Sequence, residues 1–511
     1  MPITTFASVD VGSYETSMKI FEISKKFGMR EINHVRYRLE LGKDSYRDGK
    51  FKQEALEELC RVLLGFKQIM EEYQVTDYRV CTTSALREIK NRELIVEQIY
   101  QWTGMRVDIL SNSEQRFLGY KSIAALEAGF KKMIQKSTAI LDVGGGSVQV
   151  SLFDNDTLVT TQNIKIGSLR IRERLKNLEK DTIHYDQLIE EFIRHDLLSF
   201  QRLYLKGKEI QHVILLGDFL TDIIFHAEIQ DQTLTMTEFM NCYDALVHKS
   251  SDALAVEMGI PQEYASLVVP ALVIYKGFLD ILEADTLWMP GVALTDGIAY
   301  DYGEKNKILK TKHNFENDIL VAARNIGKRY SSEKSHIQGT SKLALGIFDG
   351  MKKIHGMGAR ERLLLQIAVL LHDCGKYISM EKVAECSYNI IMSTEIIGLS
   401  NWEREVIADV VLYNTRDFDT FEIMKQRDGM DKRTYLLVAK LVAILRLANA
   451  MDRSHYQKIQ GLRVVLRDTE LQVILDSARD LTLEMGLLRR QSEFFKEIYG
   501  IYPVLKRKRN A

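Results

Sequence analysis

A duplicated α/β fold followed by an all-α domain and a small α+β domain is the class that three observations predict for this 511-residue sequence. Thr138–Phe153 sets two apolar runs around Gly144, Gly145 and Gly146, just behind Asp142. Ala139–Val143 reads as a buried strand, and Val148, Val150 and Leu152 alternate with polar residues, so the glycines join strand to strand rather than strand to helix. Phe6–Phe21 repeats this order, with Asp10-Val-Gly12-Ser13 at the turn, so the unit occurs twice. From about Asn314 to His455 the apolar period is helical almost throughout, which places a domain boundary near residues 302–313. The expected domains are lobes at 1–125 and 126–305, a helical domain at 306–456 and the small α+β domain at 457–511.

The glycine turn predicts phosphate binding. A dinucleotide fingerprint requires a helix straight after its glycines and a P-loop requires a Gly-Lys-Ser/Thr ending; this sequence has neither. What remains is an anion nest, in which residues without Cβ let backbone N–H groups approach phosphate oxygens. Asp142, ending its strand, is placed to hold a metal directly or through water. A glycine-rich turn that binds nothing has the same local pattern, and the second copy of the unit is what favours the nest. Asp10 and Asp142 each end the first strand of a unit, which predicts two lobes whose loops face one cleft. That arrangement is similar to the actin-like phosphotransferases, with duplicated RNase H-like lobes, an analogy that carries fold further than function.

Apolar residues make up 46% and charged residues 27%, as in an ordinary folded protein, and a formal net charge of −1 gives no electrostatic case for a nucleic-acid partner. The basic run Lys506–Arg509 reads as a solvated tail. No charged-then-apolar leader follows Met1, and no apolar run is expected to reach the ~18 residues of a membrane span, so no membrane partner and a cytoplasmic location are expected. Five scattered cysteines without CxxC spacing fit a reducing compartment.

In chain order, Val35–Leu41 reads as a strand, and Gln53–Tyr73 as a helix with Leu56, Leu59, Leu63, Phe66, Met70 and Tyr73 on one face. A strand from Tyr78 runs into Thr82, Thr83 and Ser84, whose hydroxyls suit a helix cap, with Arg87 in that helix's early turns. Val107–Leu110 leads to Ser111–Arg116, where Glu114 stands at capping-box spacing from Ser111. Ile164–Arg170 reads as a strand entering a helix and Val213–Asp218 as a buried strand, both able to supply loops to the cleft. An apolar helix is expected from Pro270 to Leu282, and Leu287–Gly291 with Leu294–Gly297 close the α/β part. In the helical region His336, the adjacent pair His372-Asp373, and Asp452 stand out, because His and Asp side chains on separate helices can converge on one divalent metal. A hairpin over Leu462–Leu466 and Leu471–Leu475 and a helix around Phe494–Tyr499 end the chain.

These motifs resemble, essentially end to end, the exopolyphosphatase and guanosine pentaphosphate phosphohydrolase family. Asp10–Ser13 is similar to its first phosphate loop, Thr83–Glu88 with Asn91 to a strand-to-helix segment, and Asp142–Ser147 to its second phosphate loop. Ser111–Arg116 resembles the segment with the catalytic glutamate: Glu114 takes that place if a one-residue gap is allowed, and a gapless match puts Gln115 there. His336, His372, Asp373 and Asp452 are similar to the metal ligands of an HD domain. The resemblance implies release of terminal orthophosphate from inorganic polyphosphate, with guanosine pentaphosphate as a further substrate, in a Mg²⁺-dependent interlobe cleft of a homodimer. Gly12, Ser13, Gly144, Gly145, Gly146 and Ser147 would hold phosphate oxygens, and Arg87 would neutralise chain charge. Asp142 and Asp10 would position Mg²⁺, Glu114 would orient or deprotonate the attacking water, and the HD-like site would take a divalent metal of its own.

The sequence also departs from the family pattern. Tyr14 and Glu15 follow the first loop where small polar residues are usual, Val148 and Gln149 replace a hydroxyl and a carboxylate after the second, and Gly217 precedes Asp218 and Phe219 where a Gly-Thr loop is usual. Cys386 and Asn414 stand where many HD domains carry histidine. Two further readings stand beside this one, the first resting on Tyr14, Gln149 and Asp218 and the second on the presence of His336, His372, Asp373 and Asp452. One is a regulatory protein whose cleft binds polyphosphate or a nucleotide with weakened turnover; the other is a phosphohydrolase acting through the HD-type site.

Overall fold

The computed structural model describes residues 3–126, 130, 133–155, 157–179, 182, 184–216, 232–284, 286–310, 313–467 and 470–507. They form two compact units that divide between Asn314 and Phe315.

The first unit contains the predicted duplication. β1 (Thr4–Val11), β2 (Glu15–Ser24) and β3 (Gly28–Arg38) form an antiparallel meander, and β4 (Asp77–Thr82) and β5 (Val107–Ile109) add in parallel, giving the order β3-β2-β1-β4-β5. The second sheet repeats it with β6 (Thr138–Val143), β7 (Val148–Asp154), β8 (Thr157–Ile164), β9 (His212–Leu216) and β11 (Thr286–Trp288) in the order β8-β7-β6-β9-β11, and β10 (Thr233–Thr235) extends the far edge. Two sheets of one strand order, each with helices on it, are the duplicated RNase H-like lobes of an actin-like fold. β3 starts well before the strand expected at Val35–Leu41, because Gly28 at φ +73° turns the chain straight out of β2. Leu41 instead opens helix α1 (Leu41–Asp48).

α2 (Gln53–Glu72) buries Leu56, Leu59, Leu63, Phe66 and Met70, whereas Tyr73 lies beyond its end and is exposed. A single helical turn at Ser84–Arg87, α3 (Arg92–Thr103) and α4 (Asn112–Ala124) complete the first lobe's run. The hydroxyls expected to cap that turn do other work: Thr82 Oγ1 donates to the Val11 carbonyl at 3.0 Å, and N-cap Thr83 makes no side-chain cap bond. The second lobe carries α5 (Ser168–Glu179), α6 (Tyr185–Phe200), α7 (Met236–Leu246), α8 (Ser251–Met258) and α9 (Gln262–Leu282). α9 starts eight residues before the helix expected at Pro270 and runs through that proline. Its faces are buried nearly all round, so packing offsets the lost backbone hydrogen bond. α10 (Leu294–Lys305) follows the second sheet in sequence yet packs on β1 and α4 of the first lobe. A Cβ at Gly297 would lie 1.9 Å from the Leu118 carbonyl oxygen, so only glycine lets α10 approach α4 this closely. Buried Lys19 pairs with Asp296 at 2.9 Å and buried Lys121 with Asp301 at 2.8 Å, fixing α10 by charge as well as by packing.

The second unit is mainly helical: α11 (Phe315–Arg329), α12 (Lys334–Gly350), α13 (Ala359–Leu371), α14 (Val383–Ser393), α15 (Asn401–Leu412), α16 (Phe421–Asp428) and α17 (Lys432–Met451). β12 (Gly461–Leu466) and β13 (Glu470–Asp476) form the expected hairpin, α18 (Thr482–Tyr499) crosses over, and β14 (Tyr502–Arg507) pairs parallel to β13. Lys506 and Arg507, read as part of a solvated tail, thus lie in a strand, with Arg507 Nε donating to the Ser477 carbonyl at 3.0 Å; Lys508 and Arg509 lie outside the described residues. α9 and α17 are each long and apolar enough to pass a length-and-hydropathy test for a membrane span, against the sequence expectation, and most of each is buried within its own unit.

Asp409, buried on α15, has its carboxyl pushed up to about 7 by burial, reinforced by Asp428. The folded state thus keeps the proton to a higher pH than the unfolded chain, so native stability falls as pH rises from about 4 through about 7. We predict that Asp409→Asn raises the stability of this unit by about 1–3 kcal/mol at a pH near 8. The gain should vanish below the unfolded carboxyl pKa, as checked by urea unfolding at both pH values.

Candidate active site

The two glycine turns are built alike down to single hydrogen bonds. Gly12 N–H donates to the Glu15 carbonyl at 2.9 Å, and Gly144 N–H donates to the Ser147 carbonyl at 3.0 Å. These bonds close the turns, so the amides of Gly12 and Gly144, expected to hold phosphate, are spent internally. The amides of Ser13 and of Gly145–Ser147 are what the turns have to offer an anion.

The turns meet. A cavity of about 150 Å³ is lined by Asp10, Gly12 and Ser13 from one turn and by Asp142 and Gly144–Ser147 from the other, so the structure gathers both aspartates and all six expected phosphate-loop residues. Added Cβ atoms show how tight the junction is. At Gly145 one would stand 2.6 Å from Ser13 Oγ, and at Gly146 it would stand 2.1 Å from the Tyr46 hydroxyl and 2.5 Å from Ser84 Oγ. The hydroxyls of Tyr46 and Ser84 are 2.7 Å apart. Gly167, which leads into α5, is equally constrained: its Cβ would fall 2.4 Å from the Gly145 carbonyl carbon. Space, not backbone dihedral, demands glycine at these three positions.

Arg170 holds the second turn in shape. Its backbone N–H donates to the Gly145 carbonyl at 2.9 Å and its Nε to the Gly146 carbonyl at 2.6 Å. Its Nη2 reaches both carboxylate oxygens of Glu88 in the first lobe at 2.8 and 2.9 Å, and its guanidinium lies 4.2 Å from the centre of the Tyr46 ring. Tyr46, Glu88, Gly167 and Arg170 had no individual role in the sequence reading, and Ser84, expected to cap a helix, instead meets the Tyr46 hydroxyl. Ile164–Arg170 was expected to supply a loop to the cleft, and Ser168 does line the cavity. Gly217, Asp218 and Phe219 lie outside the described residues.

Glu114 and Gln115 divide the roles that sequence left between them. The Glu114 carboxylate accepts from Ser111 N–H at 2.9 Å while Glu114 N–H donates to Ser111 Oγ at 3.2 Å, a complete capping box at the start of α4. Gln115, one residue on, lines the cavity; Glu114 is not among the lining residues. Arg87 is absent from the lining too. Its guanidinium donates to the Leu110 carbonyl at 2.6 Å and reaches Gln115 Oε1 at 3.4 Å, so it supports Gln115 instead of facing a phosphate.

The bulky departures after the first turn, Tyr14 and Glu15, line the same cavity and are held there by partners. Glu15 accepts from Arg36 Nε at 2.8 Å and from the Tyr264 hydroxyl of the second lobe at 2.8 Å, so its charge is matched at the cleft margin. Tyr14 stands edge-on to Tyr264 with ring centres 4.7 Å apart, and burial with nearby Glu40 raises its phenol well above the usual range. Gln149 is different: it is buried opposite Asp142 in the β6–β7 ladder, and neither polar atom of its amide has a hydrogen-bond partner among the described residues.

In the second unit, His336 of α12 and His372 at the end of α13 face each other with their Nε2 atoms 3.2 Å apart. His336 Nδ1 sits 2.8 Å from Asp452 Oδ2, and His372 Nδ1 sits 2.8 Å from the Val369 carbonyl, contacts that leave both Nε2 atoms as acceptors. Asp373 Oδ1 is buried without a hydrogen-bond partner, and its Oδ2 accepts from Lys376 at 3.2 Å. Asp452 is occupied by His336 and by the Gln457 amide at 2.9 Å. The expected four residues therefore gather, but Asp452 backs a histidine instead of joining the donors. Among the described residues no group of three His, Cys, Asp or Glu converges closely enough to hold a metal. His455, stacked on His336 at 3.7 Å, was not foreseen; an isolated histidine after a helix end gives no sequence signal.

Comparison with known proteins places the chain. Residues 19–306 match the Ppx/GppA phosphatase family and residues 321–491 match Ppx/GppA phosphatase domain III. The chain belongs to the Ppx/GppA phosphatase family, whose members are exopolyphosphatase-like phosphohydrolases. It is 19% identical to a guanosine-5'-triphosphate,3'-diphosphate pyrophosphatase of Photobacterium profundum over 89% of this chain and 88% of the relative. It is 20% identical to a protein of the same description from Vibrio vulnificus over 86% of each. Among solved structures, an exopolyphosphatase from Cytophaga hutchinsonii superposes with a TM-score of 0.52 at 17% identity, covering 61% of this chain and all of that one, which shows the shared fold.

The crowding at Gly146 gives a direct test. Gly146→Ala should cut phosphohydrolase kcat/KM roughly a hundredfold by pushing the turn off its position. Tyr46→Phe in the same chain should restore part of the loss, because it removes the nearest clashing atom. Steady-state kinetics of the single and double variants would check both.

Proposed function

We propose that the protein releases terminal orthophosphate from inorganic polyphosphate, with guanosine pentaphosphate as a further substrate, in the cleft between the two glycine turns. The observation that carries this reading is the cradle itself. The two turns abut where Gly145 and Gly146 carry no Cβ, and the strand before each bears, one residue from its end, an aspartate that lines the same cavity. A polyanion with no side chains of its own to recognise is best held by backbone donors, and phosphoryl transfer is served mainly by positioning and charge neutralisation. Asp10 and Asp142 are hard oxygen donors of the kind Mg²⁺ takes together with substrate phosphates, so the residues present fit that ion. When bound, Mg²⁺ would neutralise charge on the phosphate oxygens.

The water-orienting role goes to Gln115 rather than to Glu114. A glutamine amide accepts one hydrogen bond and donates another, and so can aim a water without removing its proton, as the corresponding glutamine of GTPases does. Arg87 at 3.4 Å from Oε1 fixes which way that amide faces. Orthophosphate release from long-chain polyphosphate with Mg²⁺ tests the assignment. Gln115→Ala should lose about a hundredfold in kcat, whereas Glu114→Gln should stay within about fivefold of the native rate. Abolished release in a normally folded Glu114→Gln would reverse the two roles. A native protein that binds polyphosphate without releasing phosphate would favour the regulatory reading that Tyr14, Gln149 and Asp218 motivate.

The facing imidazoles favour a second, HD-type reading of the helical unit. Two Nε2 atoms at 3.2 Å require a proton or a metal ion between them, and the buried Asp373 oxygen is a further donor nearby in sequence. His336 and His372 would hold the divalent metal, with Asp452 orienting His336, and Asp373 would join only by moving closer than it stands here. Metal counted on the purified protein should approach one equivalent per chain beyond any cleft ion and fall to the cleft's share in His372→Ala. Polyphosphate hydrolysis should be unchanged by that substitution.

A further inference from the structure

Between α17 and α18 of the helical unit lies a cavity of about 680 Å³, and it shares Arg446, Arg490 and Glu493 with a second chamber of about 700 Å³. Both sizes fall within the ~300–1,000 Å³ of small-molecule sites, and their linings include none of the glycine-turn residues or the clustered histidines.

The two chambers differ in chemistry. The first is lined by four guanidinium groups, Arg446, Arg453, Arg489 and Arg490, against one carboxylate, Glu493. Among the described residues Arg446, Arg453 and Arg489 have no carboxylate partner, and Arg490 has only Asp417 at 2.7 Å, in a pair too exposed to neutralise it firmly. Arg446 is fixed as a wall residue: its Nε donates to the Tyr413 carbonyl at 2.7 Å, Nη2 donates to the Arg416 carbonyl, and its guanidinium lies 4.4 Å from the centre of the Phe494 ring. Burial pulls its pKa down to about 10 against the opposing effect of nearby Asp417, with Arg490 adding to the fall. Asn414 also lines this chamber and is 5% exposed, with its Oδ1 buried and lacking a hydrogen-bond partner. The second chamber presents the rings of Phe418, Tyr435 and Phe494 together with the carboxylates of Asp417, Asp419 and Glu497.

We propose that these joined chambers bind a nucleotide with two or more phosphates, the phosphates among the arginines and the base against the rings. Guanidinium forks suit phosphate oxygens, and aromatic faces suit a base. The carboxylates set the direction: they would repel phosphate but accept from ribose hydroxyls and exocyclic amines. A bare polyphosphate chain would leave the aromatic chamber unused, so the ring wall points to a nucleotide.

Equilibrium dialysis of the full chain with GDP, and separately with pyrophosphate, tests this. Arg453 and Arg489 are exposed and unpaired, so Arg453→Glu with Arg489→Glu should fold normally, lose one equivalent of bound GDP per chain, and leave phosphate release from polyphosphate unchanged. The charge-preserving pair Arg453→Lys and Arg489→Lys should keep that equivalent within about fivefold of native affinity, which separates charge from structure. Phe494→Leu should weaken GDP at this site at least tenfold and pyrophosphate hardly at all. Unchanged GDP binding in the glutamate pair overturns the site, and equal affinity for pyrophosphate and GDP there overturns the nucleotide.

Discussion

The contact on which the first unit depends is the one between the two glycine turns. Each turn ends a hairpin at the tip of its own sheet, and each has already satisfied its first amide internally. What remains exposed is a short row of N–H groups, useful to an anion only if the two rows face each other at close range. Ser13 Oγ against Gly145 and the Tyr46–Ser84 pair against Gly146 set that range. A methyl group at either glycine would hold the lobes apart. The duplicated topology brings the turns to one cleft; the missing Cβ atoms let them close it.

Charge then fixes what packing permits. Arg170 binds two carbonyls of its own turn and the carboxylate of Glu88 across the cleft, so the shape of the second turn and the approach of the lobes are one constraint. At the margin, Glu15 is shared by Arg36 and Tyr264 in the same way. A pair with one buried partner is costly to leave half-made, because the stranded charge stays desolvated. The residues that looked unfavourable for a phosphate site, Tyr14 and Glu15, are thus part of the frame around it. Arg36 offsets the charge of Glu15 and the Tyr264 hydroxyl fixes its second oxygen, so the carboxylate is held in place where it lines the cavity.

How much of this was legible follows from the range of each signal. The two hairpins, α2 and the hairpin β12–β13 were readable because their apolar period is local and strong. β3 hid because an edge strand with little burial shows no alternation, and β14 hid under a proline and basic residues that read as tail. The cradle was legible as a motif in Gly144–Gly146, but Tyr46, Glu88 and Arg170 were not. Each acts through a partner 24 or more residues away, and no local pattern encodes such a pairing. The helical unit's His336, His372 and Asp452 were found by residue type, while the bond that takes Asp452 out of the donor set needed coordinates.

Glu114 and Gln115 show how fine the limit is. Neighbours on a helix point about 100° apart, so one residue's shift decides which side chain faces a cavity. Sequence favours glutamate for water chemistry because it has a carboxylate, yet the capping-box spacing from Ser111 is just as much a local rule. In the folded chain the local rule wins. The first turn of α4 has unsatisfied N–H groups, the Glu114 carboxylate is at the distance to satisfy one, and the helix so started turns the next side chain inward. Of these two neighbours, the side chain left facing the cavity is an amide, held by Arg87 and set beside the carboxylates of Asp10 and Asp142.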